Sequence, residues 1–180
     1  IIGVVLTVAL ADGQELGGRA GAFLERTVTP PEAGFGGIAF PFSNPAGAIF
    51  RDGSWLTRLP EPVATVTTSL LSDGQSFYAA GVGLPFGSEG GLSVGITSWQ
   101  AGEYRGFTAD DRPTGTFTST DIAVSVGGGL SLGPASLGTT LRYLRSSLSG
   151  MEGGASGYAL DLSTSFLFRD QVSMGFVLSN

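Results

Sequence analysis

Few side chains in this sequence are equipped for bond-making chemistry, and their types and spacing set most reactions aside. The 180 residues include no cysteine and no histidine. That removes thiolate nucleophiles, disulfides and thiolate metal sites, and also the commonest general base and metal ligand. Among the acids, Asp110 and Asp111 are adjacent in one polar stretch. Glycoside chemistry needs two carboxylates held about 5–9 Å apart across a sugar, and nothing positions a second acid for it. The glycine runs at 127–129 and 153–154 lack a following helix and lysine, so they are not phosphate cradles. Clustered oxygen ligands with calcium-site spacing are absent from the sequence. The chain therefore reads as non-enzymatic, with no catalytic residue, cofactor or metal site. One charged pair has a defined setting. Arg142 and Asp161 fall on the small, polar faces of two neighbouring segments, where they are predicted to meet as a cross-strand ion pair.

The elements that must hold that pair follow a period of two. In 137–143 the residues Leu137, Leu141 and Tyr143 share a face with Thr139; in 158–166 the matching face carries Tyr158, Leu160, Leu162 and Phe166; in 172–178 it carries Val172, Met174, Phe176 and Leu178. The opposite faces are glycine, serine and threonine with Arg142 and Asp161. Such alternation means strands with one apolar face. A soluble sheet buries that face, whereas a membrane barrel turns it to lipid and keeps the polar face in its lumen.

Composition bears on the choice. Only 13% of residues are charged, against about 25% in soluble domains. The net charge of −6 argues against an electrostatic nucleic-acid partner. No apolar run reaches the roughly 18 residues a spanning helix needs, so any crossing is by strands. Residues 1–11 are apolar and end in Ala9-Leu10-Ala11 before a polar start, the pattern of the end of a signal peptide. Residues 12–62, with Pro30, Pro31, Pro41, Pro45, Pro60 and Pro62, are predicted to be an irregular, plug-like segment. Residues 63–180 are predicted to form an antiparallel meander with strands near 63–71, 76–85, 91–99, 120–132, 136–147, 157–168 and 172–179.

The connections alternate between short turns at one end and longer loops at the other. This is the pattern of outer-membrane barrels, whose short turns are periplasmic, and it places the N-terminal region on that side. Alternation pairs Leu130 with Leu137, Val126 with Leu141, Tyr143 with Leu160, and Leu141 with Leu162, and sets Arg142 opposite Asp161. Trp99, Tyr104 and Tyr158 fall toward the long-loop end and Phe86, Phe166, Phe168 and Phe176 toward the other, as two interfacial girdles.

Several stretches resemble one family. Residues 36–47 (GGIAFPFSNPAG) resemble the N-terminal signature of PorV and FadL-type outer-membrane barrels. Residues 115–124 (GTFTSTDIAV), 141–148 (LRYLRSSL) with 155–162 (ASGYALDL), and 177–180 (VLSN) are similar to successive strands of PorV/PorQ proteins. The stretch between Gly-Gly and Asn-Pro is shorter than is usual for that family. The resemblance implies a barrel of about fourteen strands, of which this sequence would be an N-terminal fragment, since single-chain bacterial barrels have even counts. It also implies an outer-membrane location, reached through a signal peptide, and a carrier or anchor role in protein secretion of the type IX kind.

Partners would then be outer-membrane lipid and exported cargo or secretion-machinery subunits. Cargo would meet the loop bearing Tyr104, Arg105, Phe107, Asp110, Asp111 and Arg112. An alternative is a FadL-like channel for a hydrophobic small molecule, in which Asn44, Pro45, Ala46 and Gly47 form a plug or hatch lined by Phe35, Phe40, Phe42, Ile49 and Phe50. A soluble secreted β-sandwich adhesin, with its apolar faces packed together, is the third reading.

Overall fold

The computed structural model describes residues 22–25, 28–29, 45–71, 74–149, 154–168 and 172–179. The signal-peptide residues 1–11, most of the segment up to Asn44, and Phe35, Phe40 and Phe42 lie outside them. The described chain is all-β. Its strands are β1 (Val63–Leu70), β2 (Ser76–Phe86), β3 (Gly90–Gln100), β4 (Tyr104–Phe107), β5 (Pro113–Phe117), β6 (Ser119–Leu132), β7 (Ala135–Leu148), β8 (Gly154–Phe168) and β9 (Val172–Leu178). Seven form one antiparallel sheet in the order β1-β2-β3-β6-β7-β8-β9, while β4 and β5 pair only with each other. The main sheet is a meander, interrupted once by the β4–β5 hairpin that rises from the end of the β3–β6 ladder.

Turn chemistry fixes the short end. At the two-residue link between Leu132 and Ala135, Gly133 adopts φ +67°, a left-handed conformation that glycine enters without steric cost. The register that follows is the one alternation predicts on this hairpin, with Leu130 opposite Leu137 and Val126 opposite Leu141. Rows of outward apolar residues then run across strands. One row is Val82–Val94–Val126–Leu141–Leu160; another is Ile96–Val124–Tyr143–Tyr158.

Which face is covered is the central finding of the fold. The apolar face is exposed on every strand of the sheet, from Val66 (81%) on β1 through Val94 (58%) and Leu141 (52%) to Leu178 (72%) on β9. The polar face is the buried one, with Ser93, Ser125, Thr140, Asp161, Ser163 and Ser165 all below 9% exposed. A water-soluble sheet has the opposite arrangement.

Four expectations need correction. The β7–β8 register is shifted by two residues: Tyr143 faces Tyr158, Leu141 faces Leu160, and Arg142 faces Ala159 rather than Asp161, which lies opposite Thr140. An even shift leaves every side chain on its own face, so alternation alone is blind to it. The tilted ring pair of Tyr143 and Tyr158, with centroids 5.3 Å apart, accompanies the observed register. Second, Trp99 is not in a girdle. It shares parity with Gly91, Ser93, Gly95 and Thr97 and is buried on the inner face beside Phe23, Phe50 and Phe77. Third, the 100–119 connection is an ordered hairpin, tied by mutual hydrogen bonds between Thr118 and Ser149. Fourth, the segment read as irregular carries three short helical pieces among the described residues, 3-10 turns at Ala22–Glu25 and Gly53–Arg58 and a single α-turn at Pro45–Ala48, with irregular chain beside them. Residues 50–59 of it lie against the inner face of the sheet, from the long-loop end at Phe50 to the short-turn end at Leu59.

The corrected register is testable because the chain has no native cysteine. Directly opposed Cβ atoms are about 4.5–5.5 Å apart and diagonal ones about 7–8 Å. The double variant L141C/L160C should therefore cross-link readily under mild oxidation, while L141C/L162C should not. Gel mobility before and after reduction reads the difference.

Candidate functional site

The buried side chains converge where residues 49–59 rest on the inner face of the wall. This approach is possible because the strands present glycine there. A Cβ on Gly138 would overlap the backbone of Gly53 and Ser54, one on Gly129 would overlap the Gly53 carbonyl, and one on Gly91 the Leu56 carbonyl. Farther along, a Cβ on Gly95 or Gly81 would come within 2.7 Å of Phe50 or Ile49 side-chain carbons. The inward glycines of β2, β3, β6 and β7 thus carve a groove down to the sheet backbone, and the plug occupies it.

Apolar contacts fill the two ends. Ile49, Phe50, Phe77 and Trp99 cluster with Phe23 and Val28 at one end, and Leu56 with Leu59 at the other. Ile49 and Phe50 therefore form the plug's own packing against the wall.

Between those ends, polar groups bind plug to wall. Arg142 of β7, 8% exposed, donates from Nη2 to the Phe50 carbonyl at 2.6 Å, while its Nη1 pairs with Asp161 Oδ2 of β8. The ion pair read from sequence therefore forms, but diagonally, which the length of arginine permits. Its second function, holding a plug carbonyl, is invisible in sequence. Ser93 Oγ donates to the Ile49 carbonyl at 3.2 Å. Thr57 Oγ1 donates to the Ser54 carbonyl at 2.8 Å and lies 3.0 Å from Ser136 Oγ of β7.

Asp52 organises the 3-10 helix. It is the N-cap, and its Oδ1 accepts from Ser54 N at 3.0 Å and from Ser54 Oγ at 2.6 Å. The same Ser54 N–H is shared with Ser163 Oγ of β8 at 3.0 Å. Asp52 is 8% exposed and, among the described residues, has no ion-pair partner within bonding reach. Burial therefore holds its carboxyl above the ordinary 3.8, partly offset by the hydrogen bonds from Ser54 and Ser163 and by the charge of Arg58.

The other sequence-predicted residues are placed elsewhere. Pro45, Ala46 and Gly47 open the α-turn leading into the plug, and Asn44 lies outside the described residues. Tyr104, Arg105, Phe107, Asp110, Asp111 and Arg112 are all exposed on the β4–β5 hairpin, away from the plug. At its tip Thr108 N donates to the Arg112 carbonyl and Asp111 takes φ +64°. Sequence reasoning missed Asp52, Ser54 and the glycine groove. Inward parity of the glycines and the Asp-Gly-Ser start of a capped turn were the available signals. Among the described residues no cluster of metal-ligating side chains occurs. A cavity of about 10 Å³, room for about one water, remains between Phe23, Phe50, Phe77, Thr97 and Arg142.

No protein-family model, curated protein or solved structure matches this chain.

Two outcomes follow for the interface. Replacing Gly138 by Val should unseat the plug at a cost of about 3 kcal/mol or more, read as accelerated hydrogen exchange across 49–59 with the strands still protected. Arg142→Met should cost about 3–5 kcal/mol by leaving Asp161 buried and unpaired, and adding Asp161→Leu should restore most of it. Denaturant midpoints of the single and double variants check this.

Proposed function

We propose that this chain builds the lipid-facing wall and inner plug of a bacterial outer-membrane β-barrel, and that it acts without catalysis as a carrier or anchor in protein secretion or surface attachment. The observation that carries the reading is the inversion of the sheet, apolar outward across seven adjoining strands and polar inward around the plug. Contiguous apolar patches on soluble monomers rarely exceed a few hundred Å², and here the rows continue from one edge strand to the other. A β-sandwich would pack this face against a second sheet; among the described residues the other sheet is only the two-stranded β4–β5 hairpin, and the apolar face stays exposed. Strands β2, β3, β6, β7 and β8 have 11 to 15 residues, enough for a bilayer that a tilted strand of about 9–11 residues crosses.

Topology says what closure requires. Six antiparallel steps separate β1 from β9, so the two edge strands run parallel to one another. An all-antiparallel barrel closes between them only through an odd number of further strands. This agrees with the even total that the resemblance to PorV/PorQ implies. In hydrocarbon the two unpaired edges would otherwise each leave a row of unsatisfied backbone groups.

The carrier or anchor reading is favoured over a hydrophobic-solute channel by how closely residues 49–59 fit the inner face. Where residues 49–59 meet the wall they do so with direct hydrogen bonds, and the cavity beside Phe50 and Arg142 has room for about one water, far less than a small-molecule site. Contact with cargo then falls to the rim. There Tyr104 and Phe107, 53% and 56% exposed, stand with Arg105, Arg112, Asp110 and Asp111 on the projecting hairpin.

Envelope fractionation with gel migration before and after heating tests the barrel. A heat-shifted band in the outer-membrane fraction is the expected result, and a soluble product without a shift would sink the reading. Within a confirmed barrel, deleting residues 104–117 should abolish retention of exported protein at the surface while leaving the heat shift intact.

A further inference from the structure

We propose that Arg145, with the tyrosine pair beside it, forms a site on the outside of the wall for the phosphate of a lipid in the outer leaflet. The inference rests on the barrel reading above and deepens it, by naming a headgroup that the wall holds.

The apolar face itself singles the residue out. Register places the even-numbered residues of β1, β2, β3, β6, β8 and β9 on that face, together with the odd-numbered residues of β7. Along these strands, among the described residues, Arg145 is the one charged residue on that side. Asp121, Arg142 and Asp161 have the opposite parity. Arg145 is exposed, and no carboxylate shares its face on the described strands. A lone arginine on a surface turned to hydrocarbon is costly, so its position along the strand needs a physical reason.

Its height supplies one. Arg145 lies in the cross-strand row Tyr78–Ser98–Ile122–Arg145–Ser156. The next row toward the short turns is Ile96–Val124–Tyr143–Tyr158, and the next toward the long loops is Gln100–Thr120–Ser147–Gly154. The apolar side therefore gives way to polar residues at the level of Arg145. On β6 the apolar stretch from Leu132 to Ile122 covers about 33 Å of strand. Tilted by about 40°, it stands about 25 Å tall, the height of the lipid-facing band of an outer-membrane barrel. Arg145 thus stands where the hydrocarbon ends and lipid phosphates begin, at the long-loop end.

The neighbours suit a phosphate with acyl chains below it. A guanidinium fork matches two phosphate oxygens. Ser156, exposed and directly opposite, offers a hydroxyl. Tyr143 and Tyr158, both exposed with ring centroids 5.3 Å apart, add phenolic hydroxyls from the adjoining row. Ile122 and Val124 of β6 supply apolar surface for the chain beneath. The short-turn rim has no counterpart. Its outward residues Phe86, Leu132, Phe168 and Val172 carry neither charge nor hydroxyl. The contact therefore belongs to one leaflet, the one at the long-loop end.

The test uses the full-length protein extracted from the outer membrane in mild detergent, with lipid binding read by native mass spectrometry. The probes are diphosphoryl lipid A, the phosphate-free digalactosyl diacylglycerol, and inorganic phosphate. Lipid A should bind well above the phosphate-free lipid. R145Q should weaken lipid A binding by about tenfold, and R145K, which keeps the charge but loses the fork, by less. Equal lipid A binding by R145Q and the unsubstituted protein would overturn the proposal, as would equal binding of the two lipids. Displacement of lipid A by an equimolar amount of inorganic phosphate would mark a free-anion site and overturn the lipid assignment. Gel migration before and after heating separates this site from its premise. A heat-shifted band with lipid binding unchanged in R145Q removes the site alone, whereas a soluble, unshifted product removes the barrel reading and the site with it.

Discussion

The structure depends on one close approach, in which the backbone of a helical turn rests directly on the backbone of a β-sheet. Side chains normally hold a helix about 10 Å from a sheet. Here Gly91, Gly129 and Gly138 on the wall and Gly53 on the plug remove the atoms that would keep them apart. Everything polar inside follows from that proximity. A backbone placed so close buries its own carbonyls and amides, and each must find a partner. Arg142, Ser93 and Ser163 supply them from the wall, and Thr57 meets Ser136. Glycine weakens strands entropically, by roughly 0.5–1 kcal/mol each, so so many on one face make sense only where a docked segment returns the loss.

The buried ion pair has its place in the same account. Arg142 and Asp161 alone would be a poor source of stability, since desolvating both charges costs about as much as their attraction returns. Arg142 does more than pair. It clamps the Phe50 carbonyl where the α-turn gives way to the descending plug, and Asp161 fixes the guanidinium in the orientation that does so. The pair therefore specifies where the plug sits, while the aromatic cluster of Phe23, Phe50, Phe77 and Trp99 supplies the apolar burial at that level.

Much of the wall was legible in the sequence and little of what it holds. The seven long strands, their turns and their two faces follow from a period of two that survives through 137–178. Face assignment came with them, because Leu, Val and Tyr on one parity and Gly, Ser and Thr on the other leave no ambiguity. The register of β7 on β8 did not, since a slip of two preserves the pattern and is decided by contacts such as the Tyr143–Tyr158 ring pair. Trp99 was misplaced by weighing its residue type above its parity. The plug was hardest to read. Its 3-10 helix is six residues long, shorter than any helical periodicity can reveal, and its partners lie up to 109 residues away in sequence.

These features divide the molecule into a rigid part and an adaptable one. The wall and plug are cross-braced by backbone ladders, glycine contacts and buried hydrogen bonds, with little free space between them. The β4–β5 hairpin has two strands of four and five residues and almost no core, and such a unit alone is marginally stable in water. Its order comes from its base, where Ala101 joins Ser119 and Thr118 joins Ser149. A small hairpin anchored at its base can meet a partner at small cost, because the entropy lost on contact is confined to a few residues. The proposed recognition at this rim and the proposed retention by the wall are thus separable physical tasks. On the proposed reading the two tasks fall to different residues: Tyr104, Arg105, Phe107 and Arg112 of the hairpin for the first, and the apolar rows from Val66 to Leu178 for the second.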